Sequence, residues 1–184
     1  MRRCFLVFGL LALAVPALAG TLAGVTMPDS IEVGGRALSL NGMGVRTKVF
    51  FKVYVGGLYL ERKTSDAAEA IQADAPKRLV LQFVRDVDRG QVVEAFDESV
   101  KNNAAAQAAQ MKAEVARFLE VLEPMKSGEQ FAITYVPGTG TTVTVRGKDK
   151  LTVPGQPFAQ LVFSMWLGPK PPSGDLKKGL LGSK

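Results

Sequence analysis

The sequence of 184 residues contains no histidine, and its one cysteine, Cys4, lies close to the N-terminus. Without histidine the chain has no Ser-His-Asp triad, no Cys-His dyad and no histidine ligand for zinc or haem. Beyond the first residues it also lacks any long apolar run, so we expect no stable membrane insertion of the mature chain. These absences exclude many hydrolases and metalloenzymes, and we expect neither a metal site nor a bound cofactor.

The remaining composition is that of an ordinary globular protein. Hydrophobic residues make up 47% and charged residues 22% of the chain, which fits one domain with a sizeable core. The basic residues of the C-terminal tail, Lys177, Lys178 and Lys184, are too sparse for a nucleic-acid site. We therefore expect no nucleic-acid partner.

The N-terminal segment has the layout of a secretory signal peptide. A basic Arg2-Arg3 pair precedes a mostly apolar stretch from Cys4 to Val15, and Ala17-Leu18-Ala19 forms a small-x-small cleavage site. We predict a signal peptide over residues 1–19 and a mature domain over residues 20–184, located in the periplasm or secreted. The alternative is an uncleaved anchor, but the apolar stretch is short for a bilayer. The mature domain would have no thiol, which suits an oxidising compartment.

Alternating apolar residues and turn signals predict an extensive sheet. Gly34-Gly35 is a hairpin signal, and Asn41-Gly42 is interpreted as a second turn. Within the strand after it, strict alternation would place Tyr54 on the face opposite Val53. The predicted strands are Ser30–Val33, Arg36–Leu40, Val45–Leu60, Lys77–Arg85, Gln130–Val136, Thr141–Val145 and Leu151–Val153.

Helical periodicity occupies the segments between and after these strands. Asp88 with Gln91 three residues later predicts a capped helix start. The predicted helices are a short one from Ala67 to Ala73, one after Asp88 with an apolar stripe of Val92, Phe96 and Val100, a longer one from about Ala104 to Glu123, one with Pro157 at its first position, and a last one capped by Asp175. This order predicts an α+β domain with an antiparallel sheet covered by helices on one face.

Two segments resemble a known family. They are LNGMGVRTKVFFKVYVGGLYL, from Leu40 to Leu60, and the C-terminal blocks Met165-Trp166-Leu167-Gly168 and Leu176 to Gly182. Both are similar to the chalcone isomerase-like family, and more closely to its secreted bacterial branch. The resemblance covers essentially the whole mature domain. It implies an open-faced β-sandwich, in which a large antiparallel sheet packs against a layer of helices with a ligand cleft between them.

The resemblance also implies candidate ligand-binding residues. The family includes plant isomerases that close a chalcone to a flavanone, and non-catalytic relatives that bind fatty acids. Both kinds use an arginine that corresponds to Arg46 here. The fatty-acid binders pair it with a tyrosine on the following strand, a position that Tyr54 would occupy. The resemblance thus implies Arg46 and Tyr54 as the ligand-binding pair.

The chain departs from the isomerases at their catalytic positions. Where the isomerases carry a catalytic tyrosine, this chain has Val92 or Val93, and their asparagine corresponds to about Ser99. Tyr54 stands where they place a threonine. We therefore assign no catalytic residue, and chalcone cyclisation is not expected.

The chemistry of Arg46 fits an organic acid. A guanidinium holds a carboxylate through two parallel hydrogen bonds, and a tyrosine hydroxyl can add a third. We expect the ligand's apolar tail to lie among side chains of the type of Phe50, Val92, Phe96 and Met111. The alternative is an Arg46 at a strand end, paired with a surface carboxylate.

Three functions compete at this point. The first is a non-catalytic periplasmic binding protein for a small amphipathic ligand such as a fatty acid, with Arg46 as the carboxylate anchor. The second is an intramolecular isomerase or lyase acting on a phenolic or enone substrate, in which Arg46 would stabilise negative charge on oxygen. The third is an envelope interaction module with a vestigial cleft. A tetrapyrrole held through its propionates by Arg46 is a separate alternative, which we do not expect because the mature chain has no histidine or cysteine to ligate its iron.

Overall fold

The computed structural model describes residues 19–183, so all but the last residue of the predicted signal peptide lies outside the described residues. The described residues form nine strands and five helices. The strands are β1 (Ala19–Leu22), β2 (Val25–Pro28), β3 (Ser30–Val33), β4 (Arg36–Lys48), β5 (Phe51–Leu60), β6 (Lys77–Phe83), β7 (Gln130–Val136), β8 (Gly140–Val145) and β9 (Lys148–Val153). The helices are α1 (Ala67–Gln72), α2 (Arg89–Gln110), α3 (Lys112–Glu120), α4 (Gln156–Leu167) and α5 (Gly174–Leu180).

Seven strands, β3 to β9, form one antiparallel sheet whose spatial order is the order of the chain. The helices are inserted between strands or follow the last one, and they pack on one face of the sheet. The predicted α+β architecture, with a large antiparallel sheet against a helical layer, is confirmed. The predicted Gly34-Gly35 hairpin is also present, and both glycines have positive φ angles.

The two faces of the sheet bury separate apolar cores. On the helical face, α4 is buried along nearly its whole length from Phe158 to Leu167, as expected for a helix that is apolar all round. On the other face, Val25 and Met27 of the β1–β2 hairpin cover a smaller cluster. That hairpin was not predicted, because its two short strands carry too few apolar residues for a clear alternation. No helix within residues 19–183 is both long and apolar enough to cross a membrane.

The predicted turn at Asn41-Gly42 is wrong. β4 runs straight through it, and the strand pairing with β5 shifts by one residue between Leu40 and Gly42, which makes Asn41 a β-bulge. Its side chain donates to Thr64 O at 3.0 Å and to Leu180 O at 2.8 Å, and accepts from Thr64 N at 2.8 Å. These distant partners stabilise a bulge where the local sequence alone indicates a turn.

This bulge decides which way Arg46 points. Leu38 and Leu40 belong to the smaller core on the open face of the sheet. An extra residue in a strand reverses the side-chain alternation beyond it. Gly42 and Gly44 therefore face the helices, where α5 packs directly on them, and Arg46 follows on the same face.

The predicted single strand from Val45 to Leu60 is divided in two. Val49 and Phe50 form a two-residue turn between β4 and β5, and Lys48 pairs with Phe51 across it. Residues 48–51 include no glycine or asparagine, so the sequence offers no local turn signal there. Val49 accordingly adopts a positive φ of 60°.

Among the predicted helices, one helix start is confirmed and one helix is wrong. Asp88 caps α2 in a capping box with Gln91, as predicted. The predicted helix from Ala104 to Glu123 is wrong: α2 continues to Gln110 with a kink at Ala104, and α3 begins only after Met111. Asn103 beside the kink bonds to the backbone of Lys170, a contact that the local sequence does not encode.

Two helix starts need smaller corrections. Pro157 is the second residue of α4 rather than its first. The N-cap of α5 is Ser173, which accepts from Leu176 N at 3.2 Å, whereas Asp175 lies in the first turn. An aspartate in the first turn still stabilises the helix through its dipole.

Candidate ligand-binding pocket

A pocket of about 230 Å³ opens between the sheet and the N-terminal half of α2. It lies where β4, β5 and β6 meet near one end of the sheet. Its walls are mainly apolar, and its polar groups come from β4, β5, the loop after β6 and the first turn of α2. The lining residues are Arg46, Lys48, Val49, Phe51, Val53, Tyr54, Phe83, Arg85, Asp86, Val87, Gln91, Val92, Ala95 and Phe96.

Arg46, Tyr54 and Phe83 form one row across three neighbouring strands. Arg46 pairs with Tyr54 between β4 and β5, and Tyr54 pairs with Phe83 between β5 and β6. Directly opposed residues project from the same face of a sheet. The structure thus brings the two predicted ligand-binding residues together on the face that meets α2.

A second bulge lies at the polar end of the pocket. The pairing shifts again just beyond Arg46, so that Val53 has no partner in β4. Val53 and Tyr54, although consecutive, both pack against the larger core and both line the pocket. The predicted strict alternation, which put Tyr54 opposite Val53, is therefore wrong at this point, since a bulge interrupts it.

The Arg46 guanidinium is partly desolvated and is not neutralised. Its Nε is buried and has no hydrogen-bond partner among residues 19–183. In the same part of the chain no carboxylate lies within 4.0 Å of it. Its Cζ lies 5.9 Å from the centre of the Tyr54 ring. A buried donor without an acceptor is costly, so this group is poised for an anionic or carbonyl acceptor.

Tyr54 presents a neutral hydroxyl beside that guanidinium. Its oxygen accepts from Trp166 Nε1 at 3.0 Å. Burial raises the pKa of Tyr54, with the positive charge of Arg46 opposing the rise. The hydroxyl therefore keeps its proton at neutral pH and acts as a donor rather than as a base. Its oxygen already accepts a hydrogen bond from Trp166, so the hydroxyl can donate its own hydrogen bond to a ligand oxygen.

The pocket mouth carries more positive than negative charge. Lys48 and Arg85 join Arg46 there, and Arg85 stacks over the ring of Phe51 at 4.7 Å. Asp86 is the one lining carboxylate, and it is engaged by Lys126 Nζ at 3.0 Å and Ser127 N at 2.9 Å. These bonds hold the pKa of Asp86 below its ordinary value. A negatively charged ligand is therefore favoured over a cationic one.

The predicted apolar contacts are present only in part. Val92 and Phe96 line the pocket, as expected for the stripe on α2. Phe50 does not: it lies at the tip of the β4–β5 turn and is 91% exposed. Met111 lies at the α2–α3 junction and is not part of the lining. Both predictions failed because they assumed one continuous strand and one continuous helix.

Several lining residues were missed by the sequence argument. Phe83 and Arg85 end and follow β6, and the sequence shows them as an ordinary strand terminus. The signal that could have identified Arg85 is its place two residues after a buried aromatic, at the strand end nearest the Asp88 helix start. The Tyr54–Trp166 bond joins residues 112 positions apart, and no local pattern indicates it.

A second pocket, of about 290 Å³, surrounds Lys77 at the end of α1. Lys77 Nζ donates to the carbonyl oxygens of Ala70, Ile71 and Ala73 at 2.7–3.0 Å, so its three protons are used by the helix end. Glu69, which also lines it, is engaged by Arg62 and Thr64. The polar groups named here are already paired, so the pocket beside Arg46 is the better candidate site.

A family model described as chalcone isomerase-like matches residues 19–182, almost all of the described chain. The chain belongs to the chalcone isomerase-like family. A fatty-acid binding protein from Arabidopsis thaliana has a similar structure, with a TM-score of 0.68 over 89% of this chain and 96% of that chain. The two are 16% identical, so this likeness is one of fold. No curated protein sequence matches the chain significantly.

Membership of the chalcone isomerase-like family makes the isomerases' catalytic positions worth locating. Val92 lines the pocket with an apolar side chain. Val93, the other candidate position, packs partly against the larger core. Ser99 is buried and donates to Met165 O at 2.9 Å, so its hydroxyl is occupied away from the pocket. The lining thus offers hydrogen-bond donors and cations, and its wall at Val92, one of the two positions that the resemblance matches to the isomerases' tyrosine, is apolar.

Proposed function

We propose that this chain is a non-catalytic binding protein for a small amphipathic acid, most directly a fatty acid, with Arg46 as the carboxylate anchor. One observation carries the proposal. The Nε of Arg46 is buried without a partner beside the protonated hydroxyl of Tyr54, at the polar end of an otherwise apolar pocket. This pair of donors matches the two oxygens of a carboxylate.

The remainder of the ligand would lie along the apolar wall. Val53, Val92 and Phe96 provide a surface for an acyl chain. The volume of about 230 Å³ lies below the range of about 300–1,000 Å³ that is usual for sites enclosing drug-sized ligands. We therefore expect medium-chain acids to bind better than long-chain acids, whose tails would not fit within this volume.

The comparisons support this choice of ligand class. The chain is a member of a family whose fold is shared by a plant protein named for fatty-acid binding. The resemblance matches the isomerases' catalytic tyrosine to Val92 or Val93, and an apolar side chain at either position favours binding over catalysis. Tyr54 also keeps its proton, and Asp86, the one lining carboxylate, is held by Lys126 and Ser127.

We propose further that the protein works in the periplasm or outside the cell. The predicted signal peptide over residues 1–19 supports this, as does the absence of cysteine from the rest of the chain. The family match begins at residue 19, next to the predicted cleavage site. A ligand carrier in such a compartment would protect an apolar acid from water while it crosses the space between surfaces.

Titration with laurate tests the carboxylate anchor. Trp166 is the chain's single tryptophan and bonds to Tyr54, so its fluorescence reports occupancy of the pocket. We expect Arg46→Met to weaken laurate binding about tenfold to a hundredfold, because a charge-assisted hydrogen bond is lost. Arg36→Met is the matched control: Arg36 is exposed and pairs with Glu61, so laurate affinity should not change.

Methyl laurate separates the anchor from general apolar binding. It should bind more weakly than laurate to the wild type and equally weakly to Arg46→Met, since it has no charge for Arg46 to hold. Organic extraction of protein purified from the periplasm, followed by mass spectrometry, identifies any acid retained from the cell. Equal laurate affinity in wild type and Arg46→Met, together with an empty extract, would contradict the proposal.

A further inference from the structure

The turn between β4 and β5 carries an exposed apolar cluster, which we call the hairpin tip and define as Val49, Phe50 and Phe51. Their exposed fractions are 77%, 91% and 60%, and they are the large exposed hydrophobic residues of the described chain. A contiguous exposed apolar patch is typical of a site that contacts a protein, a membrane or a ligand. The tip therefore calls for an explanation outside the folded core.

The backbone supports a specific role for these residues. Val49 occupies the first central position of a two-residue turn with φ of 60°, where glycine is the strain-free residue. A β-branched residue in this conformation is uncommon. The turn thus holds a strained apolar residue where a small polar one would fold more easily.

Basic residues surround the hairpin tip. Lys48 and Lys52 flank it in sequence and are exposed, and Arg85 stacks on Phe51. Within residues 19–183 none of these three cations forms an ion pair. Aromatic residues flanked by unpaired cations suit the interface of an anionic bilayer, where the rings enter the headgroup layer and the cations meet phosphates.

The size and place of the tip favour a bilayer over a protein. Three apolar side chains are far fewer than a stable protein interface needs, at about 800 Å² per partner. Lys48, Val49 and Phe51 also line the ligand pocket, so the tip is the rim of its mouth. A membrane contact at the tip would place that mouth against the lipid headgroups.

We propose that the hairpin tip docks this protein reversibly on membranes that contain anionic phospholipid, with the pocket mouth facing the leaflet. Docking stands on the tip and its cations alone. The consequence that an acid passes directly between leaflet and pocket rests on the proposed function. The contact is peripheral, because it involves one turn and no segment that crosses the membrane.

Vesicle co-sedimentation tests the docking, with the chain starting at Gly20, which contains the seven-stranded sheet, both cores and all five helices. Vesicles are phosphatidylcholine alone or mixed with phosphatidylglycerol, at low and high salt. We expect binding to the mixed vesicles that weakens with salt. Phe50→Ser should reduce it about tenfold, and Lys52→Gln about fivefold. Phe50→Trp keeps a large apolar side chain at this position, so it should bind vesicles as the wild type does.

The controls separate docking from charge in general and from ligand binding. Lys63→Gln removes the same charge beyond the far end of β5 and should not change vesicle binding. Phe50 and Lys52 do not line the pocket, so Phe50→Ser and Lys52→Gln should keep the wild-type affinity for laurate in solution. No binding by the wild type, or equal losses in Lys52→Gln and Lys63→Gln, would overturn docking and leave the carboxylate anchor untouched. Undiminished binding by Phe50→Ser would overturn it as well.

Discussion

Buried polar side chains in this protein differ in whether the fold already satisfies them. Lys77 is almost fully buried, but three backbone carbonyls at the end of α1 accept its protons. It thereby caps the helix C-terminus, where a cation is favoured. Arg46 has no such partner at its buried Nε. This contrast is what separates a structural cation from a candidate ligand anchor.

Lys77 makes the free energy of unfolding depend on pH in the alkaline range. Burial lowers its pKa to about 8 from an ordinary 10.5, with Asp74 opposing the change. Above pH 8 the unfolded chain therefore binds more protons than the folded chain at this residue, and the free energy of unfolding rises with pH. Tyr59 and Tyr135 act in the opposite sense above pH 10, because burial raises their pKa values to about 12.

The test compares wild type with Lys77→Met by urea unfolding at pH 8, 9 and 10, within the window set by those pKa values. Lys77→Met should be less stable throughout, since three carbonyls lose their donor. The wild type should gain stability relative to the variant as the pH rises, because only the wild type carries the group with the lowered pKa. If the difference in free energy of unfolding between wild type and Lys77→Met stays constant or shrinks as the pH rises, the lowered pKa of Lys77 is contradicted.

At the scale of elements, α5 is held to β4 by direct contact between backbones. A β-carbon on Gly44 would overlap the carbonyl oxygen of Leu176, and one on Gly42 would overlap that of Gly179. No side chain fits at either position without moving the helix. This contact explains why the Leu40–Leu60 segment and the C-terminal block, which together carried the family resemblance, belong to one structural unit.

We expect Gly44→Ala to lower the free energy of unfolding by about 1–3 kcal/mol or more, the usual cost of overpacking a rigid contact. Gly174→Ala is the matched control, because a β-carbon there meets no atom within 4 Å. It should be neutral or slightly stabilising, since alanine restricts the unfolded chain. Chemical denaturation of both variants measures the difference, and equal stabilities would refute the assignment of a backbone contact.

The predictions of elements that are confirmed and the one that is wrong differ in how far apart in the chain the deciding residues lie. The capping box of α2, the buried stripe of Val92, Phe96 and Val100, and the Gly34-Gly35 hairpin are confirmed because each depends on residues a few positions apart. The bulge at Asn41 depends on Leu180, which is 139 positions away. A pattern of neighbours carries no information about such a partner, so the sequence suggested a turn instead.

At the scale of the whole molecule, the sheet separates two apolar cores that pack against different elements. The larger core joins the helices to the sheet and borders the ligand pocket, whereas the smaller one supports the open face beneath the β1–β2 hairpin. The pocket lies at one end of the larger core, next to the hairpin tip. A ligand could therefore enter without opening the centre of the molecule.

Export is the prediction that belongs to the complete chain. If residues 1–19 are a signal peptide, protein recovered from the periplasm or the medium should begin at Gly20, as N-terminal sequencing or intact mass would show. Replacing Ala17 and Ala19 by bulky residues should block cleavage and leave the precursor attached to the membrane. Recovery of soluble protein that still begins at Met1 would contradict the prediction.

The sequence by itself determined the α+β class, because short-range periodicity suffices for that, and its resemblance to the chalcone isomerase-like family implied Arg46 and Tyr54 as candidate residues. Only the tertiary structure decided that the two face each other across β4 and β5, that Trp166 holds the Tyr54 oxygen, and that Phe50 lies outside the pocket. The physical reason is the alternation of a strand. One inserted residue reverses every side chain beyond it, and whether a residue is inserted depends on contacts far away in the chain.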